Sequence, residues 1–344
     1  MIYWMRRRSK GGIMKKIAAL FLSLMVMIGV VGCADNAGNG KKTIQVGVSI
    51  YKFDDNFMTL YRQEIEAYFK TLNTDEVTYQ VTVQDGKNDM AEQTSQIDNF
   101  IAQDYDVLII NLVQATSAAT IIDKCEAAKK PCIFINREPN EEDMKKYEGF
   151  ITYVGADARQ SGKMQGEIVA DLENKGDLNG DGILQYVMVV GDPENVDAKY
   201  RTQFSIEQYM KTSGLKVEKL DEQRGDWDQA KGQEIVANAL TQYKDQIEAV
   251  FCNNDAMALG AAQAIKAAGR TIGKDIYLVG VDALAEAVEM VSKDEMTGTV
   301  LNDHIAQSHK AVDAAIKAIN KEKLDAYYWV DYVKVTPANA SQFK

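Results

Sequence analysis

The chain has 344 residues, 46% hydrophobic and 26% charged, an ordinary globular composition with length enough for two domains. Its formal charge of −11 argues against a nucleic-acid partner, because basic side chains that neutralise phosphate supply most of that affinity.

The first 32 residues hold Arg6, Arg7, Arg8, Lys10, Lys15 and Lys16 and no acid, so the rest of the chain is more acidic still. After Met14 comes the apolar run "IAALFLSLMVMIGVVG", too short and too early for a comfortable membrane span. It ends on a small residue before Cys33. An export signal is therefore expected over 1–32, with residues 1–13 either an upstream start or a long basic leader. "VVGC" resembles the lipobox of bacterial lipoprotein signals. That resemblance implies that Cys33 is the lipidated first residue of an extracytoplasmic, membrane-anchored protein; a plain signal with an incidental cysteine is the alternative. Residues 33–43 form a polar, Gly/Asn-rich tether with nothing to build a core from.

Beyond the tether, strand-like and helix-like segments alternate. "TIQVGVSIY" precedes a helical stretch from Asn56 to Leu72. "YQVTVQD" precedes "MAEQTSQIDNFIAQ", whose Ile97, Phe100 and Ile101 recur at helical spacing. "VLIINLV", "SAATIIDKCEAAKK" and "PCIFINR" continue the order. It restarts with a helix near Asp157, then "LQYVMVVGD", a helix from Asp197 to Thr212, "LKVEKLD", a helix from Asp228, "IEAVFCNN", "DAMALGAAQAIKAAG", "IYLVGVDA", "LAEAVEMVSKD" and "GTVLND". A helix over 304–320 and one final strand, "YWVDYVKV", close the chain. Such βαβα order predicts parallel sheets covered by helices on both faces. There are too many strands for one ordinary sheet, so two Rossmann-like α/β lobes are expected. Three cysteines lie in this region, Cys125, Cys132 and Cys252. An odd number is no disulfide framework. Small buried residues are the expected role, with a Cys125–Cys132 bridge left open.

In open parallel sheets, ligands bind beyond the carboxyl ends of the strands. At those ends stand Asp55 and Phe57 in "IYKFDDNF", Asn136, then Asn195, Asp197 and Arg201, then Trp227, Asn254, Asp255, Asp282, Asn302 and Asp303. Taken singly, each has an ordinary explanation. Asp255 reads best as a helix N-cap, Asp282 and Asp197 could cap too, Arg201 could lie on a solvated helix face, and Trp227 could be a core aromatic. Together they make one edge that mixes acceptors, donors and flat rings. A sugar hydroxyl both donates and accepts, and charged partners bind it more strongly. The C–H faces of a pyranose lie well on aromatic rings. Asp55 gripping hydroxyls, with Phe57 and Trp227 on opposite faces, is the expected arrangement.

"IYKFDDNF", "FINREP", "DAKYRT", "NNDAMALGA", "VGVDAL" and "GTVLND" resemble, in order and over essentially the whole mature chain, the galactose/glucose-binding family of bacterial sugar ABC transporters. The resemblance implies a monomeric type I periplasmic-binding fold with lobes at 44–154 plus 303–334 and 155–302 plus 335–344. Three hinge crossings would lie near Gly155–Ala156, Asn302–Asp303 and Lys334–Thr336. It implies capture of D-galactose, D-glucose or methyl galactoside for an ABC permease, with a chemoreceptor or sensor kinase as a further partner. Asp55, Asn136, Asp197, Arg201, Asn254, Asp282 and Asn302 match the family's hydrogen-bonding ligands, and Phe57 and Trp227 its stacking rings. One position departs. Asn195 in "PENVDA" replaces the histidine of the family's "PGHPDA", which puts the preference among hexoses, not the sugar class, in question.

"DLNGDGILQ" carries a second signal. Asp177, Asn179 and Asp181 stand at positions 1, 3 and 5 of an EF-hand-type calcium loop, with Gly182 at the turn, Ile183 offering its carbonyl and Gln185 at position 9. Position 12 is Met188, which cannot coordinate. By resemblance to the family, Glu248 completes the shell around a structural Ca2+. A metal-free Asn/Gly/Asp turn is the alternative.

Rival classes are weaker. The only histidines are His304 and His309, and no nucleophile elbow, P-loop or dinucleotide fingerprint is present, so an enzyme is not expected. A lac-type repressor shares the two-lobe plan but needs an N-terminal helix-turn-helix where this chain has an export signal.

Overall fold

The computed structural model describes residues 41–344; the expected signal, most of the tether and Cys33 lie outside the described residues. The chain runs through β1 (Lys42–Ile50), α1 (Asn56–Thr71), β2 (Val77–Asp85), α2 (Met90–Ala102), β3 (Val107–Ile110), α3 (Ala118–Ala128), β4 (Cys132–Ile135), α4 (Glu141–Met144) and β5 (Ile151–Gly155). It goes on through α5 (Ala158–Ala170), β6 (Ile183–Val190), α6 (Val196–Ser213), β7 (Lys216–Arg224), α7 (Gln229–Tyr243), β8 (Ala249–Cys252) and α8 (Asp255–Ala267). Then come β9 (Tyr277–Val279), α9 (Ala285–Ser292), β10 (Thr299–Leu301), α10 (His304–Ile319), β11 (Tyr327–Trp329) and β12 (Val333–Val335).

Two parallel sheets result. The first has the order β11-β5-β4-β3-β1-β2 and the second β7-β6-β8-β9. Central strands are uniformly apolar and buried, as in "VLII" of β3 and "AVFC" of β8. That is the pattern forced on strands with helices over both faces. Cys125 and Cys132 lie in the core of the first lobe and Cys252 in that of the second; all three are free thiols. In each sheet the winding reverses beside the first strand laid down, between β1 and β3 and between β6 and β8. These switch points open crevices at the carboxyl edge, where loops from neighbouring strands diverge.

The expected final strand is two strands. β11 pairs parallel with β5 in the first sheet, whereas β12 pairs antiparallel with β10, which is bridged to the second sheet at Val279–Gly298. Val330 N–H still bonds the Gly155 carbonyl, but Tyr332 N–H bonds the Gln160 side chain. The chain therefore changes lobes at 330–332, ahead of the expected crossing at Lys334–Thr336. Val333 and Lys334 pair with Leu301 and Val300 and belong with the second lobe. The apolar pattern runs through this crossing because Val330 and Tyr332 are buried on both sides of it, which hides the break from the sequence.

Helices α5 and α6 approach closely at Gly166. A Cβ there would sit 2.2 Å from the Ser205 carbonyl oxygen and 2.8 Å from the Tyr209 nitrogen, both rigid backbone. Gly166→Ala should push the helices apart and cost about 3 kcal/mol, read as a lower urea midpoint.

Candidate functional site

Ten of the twelve residues expected at the strand ends line one small cavity; Asp255 and Asp303 stand outside it. Loops of both lobes build it. Asp55 and Phe57 follow β1, and Asn136 follows β4. From the second lobe, Asn195, Asp197 and Arg201 follow β6, Trp227 follows β7, Asn254 follows β8 and Asp282 follows β9. Asn302 follows β10.

Several of these side chains also hold their own loops. Asp55 is the N-cap of α1: Oδ1 accepts from Met58 N–H at 2.8 Å, while Oδ2 accepts from Tyr51 Oη at 2.5 Å. Asn195 caps α6 through Asp197 N–H, and Asn254 caps α8 through Met257 N–H. Asp255 is therefore not the cap. It is the first helical residue, its carboxylate accepting from Thr299 Oγ1 and Leu284 N–H. Nor do Asp197 and Asp282 cap helices: Asn195 takes that place in α6, and α9 starts without a side-chain cap.

Arg201 is not on a solvated face. Its side chain is 4% exposed, with Asp197 Oδ2 at 3.7 Å and Asp282 Oδ1 at 4.0 Å. Nη1 donates to the Asn253 carbonyl and Nη2 to Tyr332 Oη, but Nε is buried without a partner. An unpaired buried N–H costs free energy comparable to a lost hydrogen bond, so a ligand oxygen has reason to bind there. Asn302 donates to Asp282 Oδ1 at 3.2 Å and accepts from Gln307. Asn111 donates to Asn136 Oδ1 at 3.1 Å.

Both expected rings are in the wall. Phe57 packs edge-on to Tyr61 and His304, and Trp227 lies over Gly191, where a Cβ would come within 2.2 Å of the indole. Only glycine lets the β6–α6 loop pass beneath that ring. Asn136, Trp227 and Asp282 all have positive φ, at 60°, 64° and 121°. For L-residues such conformations cost on the order of 1–3 kcal/mol each and persist where the surroundings impose them, most often at binding sites.

Three further wall residues were not anticipated: Tyr51, Met58 and Arg137. Arg137 stands beside Asn136 in "FINREP", so adjacency was the available signal. What selects it is three-dimensional. Its guanidinium lies 3.8 Å from the Tyr51 ring centroid, and it is almost wholly buried.

The "DLNGDGILQ" loop is closed by its own hydrogen bonds. Asp177 accepts from Gly180 and Gly182 N–H, and Asp181 accepts from Ile183 N–H and the Gln185 amide. Glu248 does reach it, accepting from Leu178, Asn179 and Gln185 N–H at 2.6, 3.0 and 3.0 Å. Three carboxylates, two amides and one carbonyl make a donor set chemically suited to a hard cation. Yet Asn179 donates to Gln185 Oε1 and Gln185 to Asp181 Oδ2, contacts that would have to yield. Among the described residues, no three His, Cys, Asp or Glu side chains converge as metal ligands.

Residues 46–323 match the family described as periplasmic binding protein domain. The chain belongs to that family. Among its curated relatives, the D-galactose/methyl-galactoside binding periplasmic protein MglB of Haemophilus influenzae is 35% identical over 96% of this chain and 99% of its own. A putative rhizopine-binding protein of Rhizobium meliloti is 34% identical over 87% and 92%. Among solved structures, an ABC transporter solute binding protein of Bacillus halodurans with bound myo-inositol superposes with a TM-score of 0.75 at 28% identity, covering 89% of this chain and 98% of that one. As in other periplasmic binding proteins, the sheets are parallel and flanked by helices. Among the described residues, no helix is long and apolar enough to cross a membrane.

Burial sets the charge of this binding protein's cleft. It pushes the Asp197 carboxyl up to about 6, against the pull of Arg201 and Arg137, and raises Asp282 well above the usual carboxylate range. An acid with a raised pKa takes up a proton more readily folded than unfolded, so its contribution to stability falls as pH rises from about 4 through about 6. Asp197→Asn, which mimics the neutral acid, should gain stability relative to wild type across that window, by on the order of 2 kcal/mol. Urea titrations at pH 4.5 and 7.5 check this; a pH-independent difference would contradict it.

Proposed function

We propose that this protein is an extracytoplasmic lipoprotein, anchored through Cys33, that captures a hexose and delivers it to an ABC permease. D-galactose, D-glucose and methyl galactoside are the proposed ligands. One observation carries the reading. Ten residues that follow seven different strands converge on a single cavity. Their chemistry alternates hydroxyl acceptors and donors around two aromatic rings. Arg201 Nε waits there without a partner. The likeness to MglB over nearly the whole chain supports the hexose. Asn195 caps its helix through Oδ1 and so leaves its Nδ2 as the donor toward a hydroxyl.

The protein works as a binder, not a catalyst, on this reading. Two lobes joined by three crossings rotate about them, and closure brings both sets of loops onto one sugar. The permease then reads the closed shape. Other relatives carry names for ribose and xylitol binding, which makes the sugar preference the first quantity to measure.

Calorimetry against D-galactose, D-glucose, methyl galactoside, D-ribose and myo-inositol tests the proposal. Failure to bind any of them would sink it. Asp55→Asn keeps an acceptor for the α1 cap but loses the charge, and should weaken hexose binding by about 2 kcal/mol. Trp227→Ala should weaken it at least about tenfold through lost stacking, with little change in fold. An unaltered Kd in both variants would place the sugar elsewhere.

We also propose that Asp177, Asn179, Asp181, Ile183, Gln185 and Glu248 hold a structural Ca2+. Bound calcium would fasten the loop to Glu248, at the start of the segment leading into β8. Chelation should lower the melting temperature by about 3 °C or more and leave hexose affinity nearly unchanged. An unmoved melting curve would remove the calcium proposal.

A further inference from the structure

The sugar cavity has a neighbour. A larger, solvent-open space of about 500 Å³ lies against it, and the two share only Tyr51, Arg137 and Trp227. Asp192 lines the outer space alone. It comes from the β6–α6 loop of the second lobe, three residues before Asn195, whereas Arg137 follows β4 of the first.

Arg137 Nη1 and Asp192 Oδ2 meet at 3.5 Å across the cleft, with side chains 4% and 13% exposed. Each end is anchored. Arg137 stacks on Tyr51 and donates to the Val113 carbonyl. Asp192 Oδ1 accepts from Glu194 N–H and lies 3.5 Å from Arg224 Nη2. The pair thus stands where the inner cavity passes into the outer one. The outer walls carry acidic and basic side chains in equal number, so nothing there repels a neutral substituent.

We propose that the Arg137–Asp192 pair is a size gate. It restricts the site to unsubstituted or minimally substituted hexoses by closing the passage through which a larger glycoside would extend. The inference rests on the hexose reading above. Asp192 acts through Arg137 and is a positioning residue. Its removal leaves Arg137 seated on Tyr51 but opens the passage to the outer space. A substituent on a bound hexose could then lie in that space, which is already large enough for a second ring.

The test is a ratio. Binding of D-galactose, D-glucose, both anomeric 4-nitrophenyl glycosides of each and their 6-O-benzyl ethers is measured by calorimetry on the mature protein. Wild type should prefer the free hexose by about hundredfold or more. Asp192→Ala should shrink that preference at least about tenfold for one substituent position, and Asp192→Glu should restore it. Arg224→Ala, which removes the outer partner of Asp192 and the exposed pair with Asp226 but leaves Arg137–Asp192 in place, should leave it within about twofold. A merely structural role for Asp192 would weaken hexose and glycoside alike and leave the ratio unmoved, which would overturn the gate. So would wild type that accepts the bulky glycosides as tightly as the free sugars. If wild type binds neither hexose nor glycoside, the hexose reading itself fails and the gate with it.

Discussion

The Arg201 guanidinium is the fixed point of this cleft. It is a buried cation set between Asp197 on its own helix and Asp282 at the end of β9, with the Asn253 carbonyl and Tyr332 hydroxyl taking two of its donors. A charge in a low-dielectric interior is tolerated only when opposite charges and hydrogen bonds compensate it. Those partners come from α6, the β8–α8 turn, the loop after β9 and the inter-lobe crossing. Meeting Arg201's needs therefore assembles most of the second lobe's wall. Two carboxylates against one guanidinium also leave acceptor capacity, which is what hydroxyls require.

Much of this was legible in the chain. Strict strand-helix alternation predicts parallel sheets, and strand ends in a parallel sheet are where ligands collect. Polar residues at those ends could thus be named from order alone, and the cavity unites Asp55, Asn136, Asp197, Arg201, Asn254, Asp282 and Asn302 with both rings. The illegible parts are long-range. Arg137 reads as one more surface cation in "FINREP" until the Tyr51 ring and Asp192 are placed beside it. The break in "YWVDYVKV" escapes periodicity because both halves are strand and both are partly buried. Sequence does not separate Asn254 from Asp255 as the cap of α8, because both are good caps and only backbone geometry decides between them.

Capping and binding are not alternatives here. Asp55, Asn195 and Asn254 each use one oxygen to satisfy a helix N-terminus while lining the cavity. The helix start orients the side chain, and the strained turns at Asn136, Trp227 and Asp282 orient the others. Rigidity of this kind fixes the side chains that each lobe brings to the site, which lowers the ordering cost of binding.

The changeover at 330–332 has an evolutionary consequence. Because β11 completes the first sheet and β12 docks on the second, each lobe is stitched from separate stretches of chain. No single cut in the gene releases either half as a self-contained folding unit. The two halves are bound to be inherited, exchanged and duplicated together, and a new ligand can be acquired only by altering loops within an indivisible whole.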